Sequence, residues 1–316
     1  MGAGESTLSI EVNSLEQLLQ NSGDAFPGSN YRPLDRKNWM ACLGPRKLRI
    51  NQIVWPGTHD SATNGIGEVV ITRPIGECQD LSIYDQLVTG TRVLDIRIGS
   101  NRDIAHGVLR SYSIDVVLQD IKRFLRETSS EIIILEVRTE YGHEDAPNFQ
   151  QYLVAELGQY LIHQDDGVFK KTVAELLPKR IICIWKPINS PPPTASGPLW
   201  SAEYLQDDWA NTDLPYTKIR HNLERLGNLT PVSTRRYFYR VEHTTTQQVG
   251  DPLTVIFRLH EMSVKIASTR IKRYAKLFIS RCFHEGLENR LQIFSTDFIG
   301  DSFVDACVGL TSARIN

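Results

Sequence analysis

Apolar, β-rich runs recur along the chain and alternate with amphipathic segments. Near-continuous apolar runs of this length are typical of parallel strands that are buried on both faces. Their alternation with helices favours an α/β fold, and a (β/α)8 TIM-type barrel fits the 316 residues as one domain. The predicted strands cover residues 48–55, 92–98, 132–139, 180–185, 236–243, 253–259 and 291–298.

The segments between these runs predict helices and one long loop. Apolar residues recur on one face of 114–128, and Ser113 can cap its first turn. Further helices are predicted over 148–162 and about 262–284. The proline-rich segment 189–200 is predicted to be a loop, because proline fits neither a helix interior nor a central strand.

We expect two parts, an N-terminal extension over residues 1–36 and one barrel domain over 37–316. The extension carries a short helical pattern around Leu15 and Leu19, followed by a stretch rich in Gly, Pro and Asn at 26–33. No internal repeat and no second domain is evident in the sequence. The extension is therefore expected to wrap on the barrel.

Composition and charge exclude several classes of protein. The chain has 35 basic and 37 acidic residues and a net charge of −2, so no global basic field indicates a nucleic-acid partner. No stretch approaches the roughly 18 apolar residues that a membrane span needs. The five cysteines form no CxxC pair, and an odd count without a signal peptide is typical of reduced thiols in an intracellular protein. We expect a monomer in the cytoplasm or on a membrane surface.

Charged residues stand where several of the predicted strands end. His59, Arg97, Arg138, Lys186 and Asp297 all lie at or just after such an end. In TIM-type barrels chemistry gathers at the carboxyl ends of the strands. We therefore expect these side chains to share one rim of the barrel.

Two histidines stand in short polar segments, His59 in WPGTHDSATN and His106 in IAHG, and RVLDIRIG lies between them. Such a pair supplies one base and one acid, and Arg97 supplies a fixed cation. In-line cleavage of a phosphodiester needs this set, because one imidazole takes a proton from the attacking hydroxyl and the other protonates the leaving oxygen. The sequence thus predicts a phosphodiesterase.

These segments resemble the X domain of phosphatidylinositol-specific phospholipase C. KNWM, NQIVWPGTHDSATN, LSIYDQLVTGTRVLDIRI, SEIIILEVRTE and LQIFSTDFI carry the resemblance, which is closest to the small X-domain-only proteins of plants. The resemblance implies a TIM-type barrel, often imperfectly closed. It also implies cleavage of phosphatidylinositol-type lipids to diacylglycerol and a cyclic inositol phosphate, which water opens in a slower second step.

The resemblance assigns roles to five residues. His59 is the base and His106 the acid; Asp297 is placed against the base and Asp60 against the acid. Arg97 stands in a DIR motif where calcium-dependent relatives use a metal, as in the metal-free bacterial members. We therefore expect no metal and no cofactor. Asp60 also fits a turn residue within THDSAT.

A further set is implied in substrate binding. Asp95 is expected to hold Arg97 toward the phosphate, and Arg138 and Lys186 to donate to the inositol hydroxyls. Asp207 is expected to accept from a hydroxyl. Trp209 offers an aromatic face, although a core tryptophan fits the same position. Glu136 leaves the metal question open, because an acidic residue occurs near this position in calcium-dependent members.

Two other functions fit parts of the sequence. A metal-dependent enzyme of the glycerophosphodiester phosphodiesterase or sphingomyelinase kind would share the fold, but Arg97 argues against its metal. A phosphoinositide-binding module with little turnover would lack a catalytic residue, whereas both histidines and both carboxylates are present.

Three features of the sequence bear on how the protein would approach a membrane. Trp200, beside the proline-rich loop, is a candidate interfacial anchor, although a packed tryptophan fits the same position equally. Gly2, in MGAGES, satisfies the loose myristoylation pattern, which an unmodified terminus satisfies equally. Ring phosphates of an inositol lipid could meet arginines, or these could be surface residues; the candidates are Arg92, Arg102, Arg110 and Arg138.

Overall fold

The structure, a computed structural model, describes residues 3–67, 72–246 and 264–316. Parallel strands form a curled sheet in the order β7, β8, β9, β1, β2, β5, β6, and an antiparallel hairpin of β3 and β4 extends from β2. The strands are β1 (Trp55–Thr58), β2 (Val93–Ile98), β3 (Asp103–His106), β4 (Leu109–Ser113), β5 (Ile133–Thr139), β6 (Ile181–Lys186), β7 (Leu205–Asp207), β8 (Phe238–His243) and β9 (Ile293–Thr296).

The barrel is open between β6 and β7. In the described ranges, two isolated parallel bridges pair on that side of β6, between Leu161 and Ile181 and between Ile184 and Trp200. The TIM-type fold expected from the sequence is confirmed, and its closure is incomplete. The predicted strand at 253–259 and the myristoylation candidate Gly2 lie outside the described residues.

Helices surround the sheet. They are α1 (Ala3–Ser22), α2 (Trp39–Leu43), α3 (Arg73–Gly76), α4 (Ile83–Thr89), α5 (Ile114–Glu127), α6 (Phe149–Leu157), α7 (Val173–Leu176), α8 (Pro215–Gly227), α9 (Val264–Lys272), α10 (Ala275–His284) and α11 (Asp301–Ile315). No helix in the described ranges is long and apolar enough to cross a membrane.

Helix α5 shows why the amphipathic pattern predicts well here. The Ser113 hydroxyl accepts a hydrogen bond from the amide of Asp115 at 3.2 Å and so caps the first turn. Val117, Ile121 and Phe124 are fully buried on the face toward the sheet. The predicted helix over 114–128 is confirmed to within one residue.

Helix α1 lies on the outside of the barrel. Leu15 of this helix is fully buried. The Glu11 carboxylate accepts from the Thr217 hydroxyl of α8 at 2.6 Å, and Glu16 accepts from the Tyr274 hydroxyl at the same distance. Tyr274 is 1% exposed and stands between α9 and α10. The prediction of a single helix over about 262–284 is therefore wrong, because the helix is interrupted where Tyr274 is held against α1.

Two expectations about surface residues are wrong. Trp200 is fully buried, and its indole Nε1 donates to the Ile162 carbonyl at 2.8 Å, so it cannot anchor the protein in a membrane. Arg92 is also fully buried, and its Nη2 lies 2.6 Å from Glu131 Oε2. A paired core arginine is not available to a ring phosphate.

Candidate active site

The carboxyl ends of β1, β2 and β9 lie side by side, because β1 pairs in parallel with both neighbours. Thr58 at the end of β1 pairs with Thr296 at the end of β9. His59 and Asp297, which directly follow these two strands, therefore lie next to each other. Arg97 on β2 points to the same end.

His59 is held between two carboxylates. Its Nδ1 lies 2.9 Å from Asp297 Oδ1, and its Nε2 lies 3.4 Å from Asp60 Oδ2. The other oxygen of Asp297 accepts from the Thr245 amide at 3.1 Å, which fixes the carboxylate. Burial alone would lower the pKa of His59, but the Asp60 charge and the Asp297 hydrogen bond raise it to about 9.

Asp60 links the two histidines. Its Oδ2 lies 3.6 Å from His106 Nε2 as well as facing His59. The chain reaches this geometry through a left-handed backbone conformation, with φ of 43° at Asp60. His106 Nδ1 lies 2.8 Å from the Gly76 carbonyl oxygen, which can only accept, so Nδ1 carries a proton and Nε2 faces Asp60.

Arg97 is clamped by carboxylates. Its Nε lies 2.8 Å from Asp60 Oδ1, its Nη2 lies 3.0 Å from Asp95 Oδ2, and its Nη1 lies 3.7 Å from Glu140. Burial opposes the charge of Arg97, yet Asp60 and Asp95 raise its pKa well above the ordinary value. Arg97 in turn holds the pKa of Asp95 well below its usual range despite burial. A fixed cation therefore stands beside both histidines.

A second charged cluster lies deeper in the barrel around Glu136. Glu136 Oε1 lies 2.6 Å from Arg138 Nη2 and 2.9 Å from Lys186 Nζ, while Arg240 donates to Oε2. Burial would raise the pKa of Glu136, but these cations, Arg240 foremost, lower it to about 2. Asp207 accepts from Arg240 at 2.6 Å. The cluster thus unites Arg138, Lys186 and Asp207.

Trp209 forms a wall of the site. Its ring lies 5.0 Å from the His59 ring between centroids, with 35° between the planes, and 39% of the residue is exposed. Lys218 Nζ lies 4.9 Å from the same indole and donates to the Ala210 carbonyl at 2.6 Å. Burial lowers the pKa of Lys218 to about 8.

Several residues that organise the site were not predicted from the sequence. Arg240 lies in a predicted strand, and a charge inside that apolar run was the available signal. Gln79 Nε2 donates to the carbonyls of His59 at 3.1 Å and Thr296 at 2.9 Å, so it ties β1 to β9. The contact of Glu140 with Arg97 had no signal in the sequence.

Most of the carboxylate oxygens that a calcium ion would need are paired with arginine or lysine side chains. Calcium takes about six to eight oxygen ligands in proteins. Here Arg97 forms ion pairs with Oδ1 of Asp60 and with Asp95. Glu136 forms ion pairs with Arg138, Lys186 and Arg240. In the described part of the chain, these residues do not fit a calcium site.

Comparison with known proteins identifies this part of the chain. Residues 55–186 match the family model described as "Phosphatidylinositol-specific phospholipase C, X domain". The match covers less than half of the chain, and this segment is similar to a phospholipase C X domain. It contains His59, Asp60, Arg97, His106 and the strand that carries Glu136.

Two curated relatives match part of the chain. A 1-phosphatidylinositol phosphodiesterase of Listeria monocytogenes is 34% identical over 135 residues, which are 40% of this chain and 42% of the relative. A PI-PLC X-box domain-containing protein of Dictyostelium discoideum is 29% identical over 179 residues, 50% of this chain and 24% of the relative. The matches thus span less than half the length of either relative.

Solved structures share the fold over most of the chain. Phosphatidylinositol-specific phospholipase C from Listeria monocytogenes superposes with a TM-score of 0.68 at 21% identity, covering 88% of this chain and 99% of the other. A structure of the Staphylococcus aureus phospholipase C, studied for modulation of its membrane binding, gives a TM-score of 0.64 at 16% identity, covering 89% and 99%. At such identities the likeness establishes the fold.

Proposed function

We propose that the protein is a metal-independent phosphatidylinositol-specific phospholipase C, with the barrel at 37–316 as the enzyme and residues 1–36 as an extension. The observation that carries the proposal is Asp60, whose one oxygen faces His59 and His106 at 3.4 and 3.6 Å while the other forms an ion pair with Arg97 Nε at 2.8 Å. Base, acid and cation are thereby held around one point. The X-domain match supports the same chemistry.

The first step uses the nucleophile of the substrate itself. The inositol 2-hydroxyl attacks the adjacent phosphorus, and Nε2 of the neutral form of His59 takes its proton. His106 Nε2 gives a proton to the glycerol oxygen as that bond breaks, which releases diacylglycerol and leaves a cyclic inositol phosphate. Asp297 supports the positive charge that forms on His59, and Asp60 supports the protonated form of His106.

The second step reverses these roles. His106, now neutral, takes a proton from water, and His59 returns its proton to the 2-oxygen as the ring opens. Negative charge develops on the phosphoryl oxygens in both steps. The guanidinium of Arg97 is preorganised to stabilise it, because Asp60 and Asp95 fix its orientation.

The Glu136 cluster suits the inositol ring. Arg138 and Lys186 keep 28% and 15% of their side chains exposed, so each can donate to a ring hydroxyl without losing Glu136. Asp207 can accept from a hydroxyl, and the exposed face of Trp209 can pack on the ring. Arg240 is a positioning residue here, since it holds both Glu136 and Asp207.

The rim of the site offers a surface for a bilayer. Val108, Tyr141 and Ile188 are 92%, 91% and 50% exposed, and Trp209 lies nearby at 39%. Hydrogen bonds join the loops that carry Val108, Tyr141 and Ile188. His143 Nε2 donates to the Gly107 carbonyl at 2.8 Å.

The loop that carries Ile188 is joined to the loop that carries Tyr141 through Asp145. The Asp145 carboxylate accepts from the amides of Ile188 at 2.9 Å and Asn189 at 2.7 Å. We infer that these apolar side chains insert at the interface and replace Trp200 as the expected anchor. Membrane attachment is thus peripheral, and an acyl chain on Gly2, if attached, would add marginal affinity.

Vesicles test the proposal. Phosphatidylinositol vesicles should release diacylglycerol with or without a chelator, and phosphatidylcholine vesicles should release none. A glycerophosphodiester phosphodiesterase-like enzyme would lose activity in the chelator. A lipid-binding module would bind the vesicles and release nothing. Either result overturns the proposed function.

A further inference from the structure

The thiol of Cys78 lies beside the candidate active site, and no step proposed above uses it. Cys78 is 3% exposed, and its Sγ lies 4.0 Å from Asp60 Oδ2. His106 Nε2 lies 3.6 Å from the same oxygen. The three ligand atoms all lie within 4.8 Å of one another. One nitrogen, one oxygen and one sulfur donor therefore converge on a small space.

We propose that Asp60, Cys78 and His106 form an inhibitory site for a soft divalent cation, best fitted by Zn²⁺. Zinc binds sulfur at about 2.3 Å and nitrogen or oxygen at roughly 2.0–2.2 Å in a tetrahedron, which sets the donors roughly 3.3–3.8 Å apart. The donors here need to close by at most about 1.5 Å to reach that geometry. Three protein ligands leave a fourth position for water or a phosphate oxygen.

Both neighbours of the thiol present the correct atom. Asp60 binds Arg97 through Oδ1 at 2.8 Å, and its Oδ2 is the oxygen that faces Cys78 and His106. His106 holds its Nδ1 proton on the Gly76 carbonyl at 2.8 Å, so Nε2 is left as the ligand atom. A backbone carbonyl behind the ring is the support that zinc-binding histidines usually have.

Charge and access also favour a cation. Asp95 and Asp297 lie close to the same space, and with Asp60 and a Cys78 thiolate they outnumber the Arg97 guanidinium and the His59 imidazolium. The metal displaces the thiol proton as it binds. The His106 side chain is 28% exposed, so an ion can reach the site from the rim. Sulfur ligation favours zinc over calcium or magnesium.

A bound zinc ion would occupy the proton-donating atom of His106 and pull Asp60 toward itself. The leaving oxygen would then lose its acid, and turnover would stop until a chelator removed the metal. This inhibition rests on the proposed function. Binding of the metal does not.

Cobalt provides the direct test. Co²⁺ added to the full chain should give the near-ultraviolet charge-transfer absorption of a cobalt–thiolate bond. Cys78→Ser should abolish that absorption and weaken Zn²⁺ binding about 100-fold, measured by competition with a chromophoric chelator. Cys42→Ser is the matched control, because Cys42 is an exposed thiol, and it should change neither. An unchanged spectrum in folded Cys78→Ser would overturn the site.

Further variants separate this site from the neighbouring triplet of His59, Cys78 and Asp297, whose ligand atoms also lie within 4.8 Å of one another. His106→Gln should remove the tight site, and Asp297→Asn should keep it. The reverse pattern would overturn the assignment. These variants also serve if Cys78→Ser does not fold.

Turnover of phosphatidylinositol vesicles completes the test. Zinc should inhibit the native chain, and the Cys78→Ser variant should need about 100-fold more zinc for the same inhibition. If the cobalt–thiolate absorption appears without any turnover, the proposed function falls and the metal site stands. If turnover occurs and zinc leaves it unchanged, the inhibitory site falls alone.

Discussion

The guanidinium Nε of Arg97 lies 2.8 Å from Oδ1 of Asp60, the carboxylate whose other oxygen faces both histidines. One side chain thus couples the cation to the base and to the acid. Asp95 completes the clamp at 3.0 Å. The cation is therefore part of the acid–base machinery and more than a neighbour of the phosphate.

Replacing Arg97 tests this coupling. Arg97→Lys retains a charge but not the fork that reaches Asp60 and Asp95 together. We expect kcat/KM on phosphatidylinositol to fall by an amount equivalent to roughly 2–4 kcal/mol of transition-state stabilisation, with Arg97→Ala at least as poor. Arg126→Lys, on the exposed side of α5, is the control. Activity of Arg97→Lys within twofold of the native chain would contradict the role.

Titration of His59 tests the electrostatics of the base. Its pKa of about 9 in the folded chain lies above the unperturbed value of about 6.5. The protonated form is therefore bound more tightly by the fold, and its contribution to stability is present below about pH 6.5 and lost as pH rises through 9. Nuclear magnetic resonance of the imidazole should give the raised pKa.

The Asp297→Asn variant provides the comparison. It removes the charged hydrogen-bond partner of His59 Nδ1, so the pKa of His59 should fall. The free energy of unfolding, measured by urea at several pH values, should decline less between pH 6.5 and 9 than in the native chain. An identical decline in both chains would contradict the assignment.

Leaving-group dependence tests the division between the histidines. An inositol phosphodiester with a phenol leaving group needs little protonation. His106→Ala should lose about 10²- to 10⁴-fold on the natural lipid and recover much of that loss on the phenol ester, because only its leaving oxygen needed an acid. His59→Ala should lose activity on both substrates, since the 2-hydroxyl still needs a base.

Carboxylate variants extend this test. Asp297→Asn should follow His59→Ala, and Asp60→Asn should lose activity more broadly than His106→Ala, because Asp60 also holds Arg97. Equal losses for both histidine variants on both substrates would refute the assignment of base and acid.

The rim residues make a prediction about membranes. The double variant Val108→Ser/Tyr141→Ser should weaken partitioning onto phosphatidylinositol vesicles about tenfold or more, because each apolar side chain that inserts contributes on the order of 1 kcal/mol. Sedimentation with vesicles measures the partitioning. Turnover of a soluble inositol phosphodiester should stay unchanged.

Leu34 provides the matched control for the rim. It is fully exposed, but the segment that follows it packs at the opposite end of the barrel, where Arg92 at the start of β2 donates to the Lys37 carbonyl. Leu34→Ser should therefore leave vesicle binding unchanged. Equal effects of Leu34→Ser and the rim variant on vesicle binding would show that the protein does not bind vesicles through the rim in particular.

The apolar runs predict most of the barrel because parallel strands are buried on both faces, and β2, β5, β6 and β8 follow them closely. The β3–β4 hairpin was missed, since DIAH and LRSYS are short and partly polar. The loop at 189–200 was predicted, but whether Trp200 is buried or exposed was left open. Its partners Ile162 and Ile184 lie on other segments, and sequence pattern does not reveal such pairings.

Strand ends and motifs predicted which side chains would meet, because adjacent parallel strands end at one rim. Contacts between side chains on the same rim were harder to predict. The ion pair of Arg97 with Asp60 depends on the left-handed backbone at Asp60, which no pattern indicates. The buried Arg240 was missed because charge within an apolar strand resembles solvent exposure in sequence.

Phosphorus magnetic resonance of phosphatidylinositol vesicles in excess chelator tests the central claim most directly. We expect the substrate resonance to be replaced first by that of a five-membered cyclic phosphodiester, which then converts slowly to a monoester. That order follows from attack by the 2-hydroxyl with His59 as base and His106 as acid, without a metal. Loss of turnover in the chelator, or a monoester that forms with no cyclic product, would contradict it.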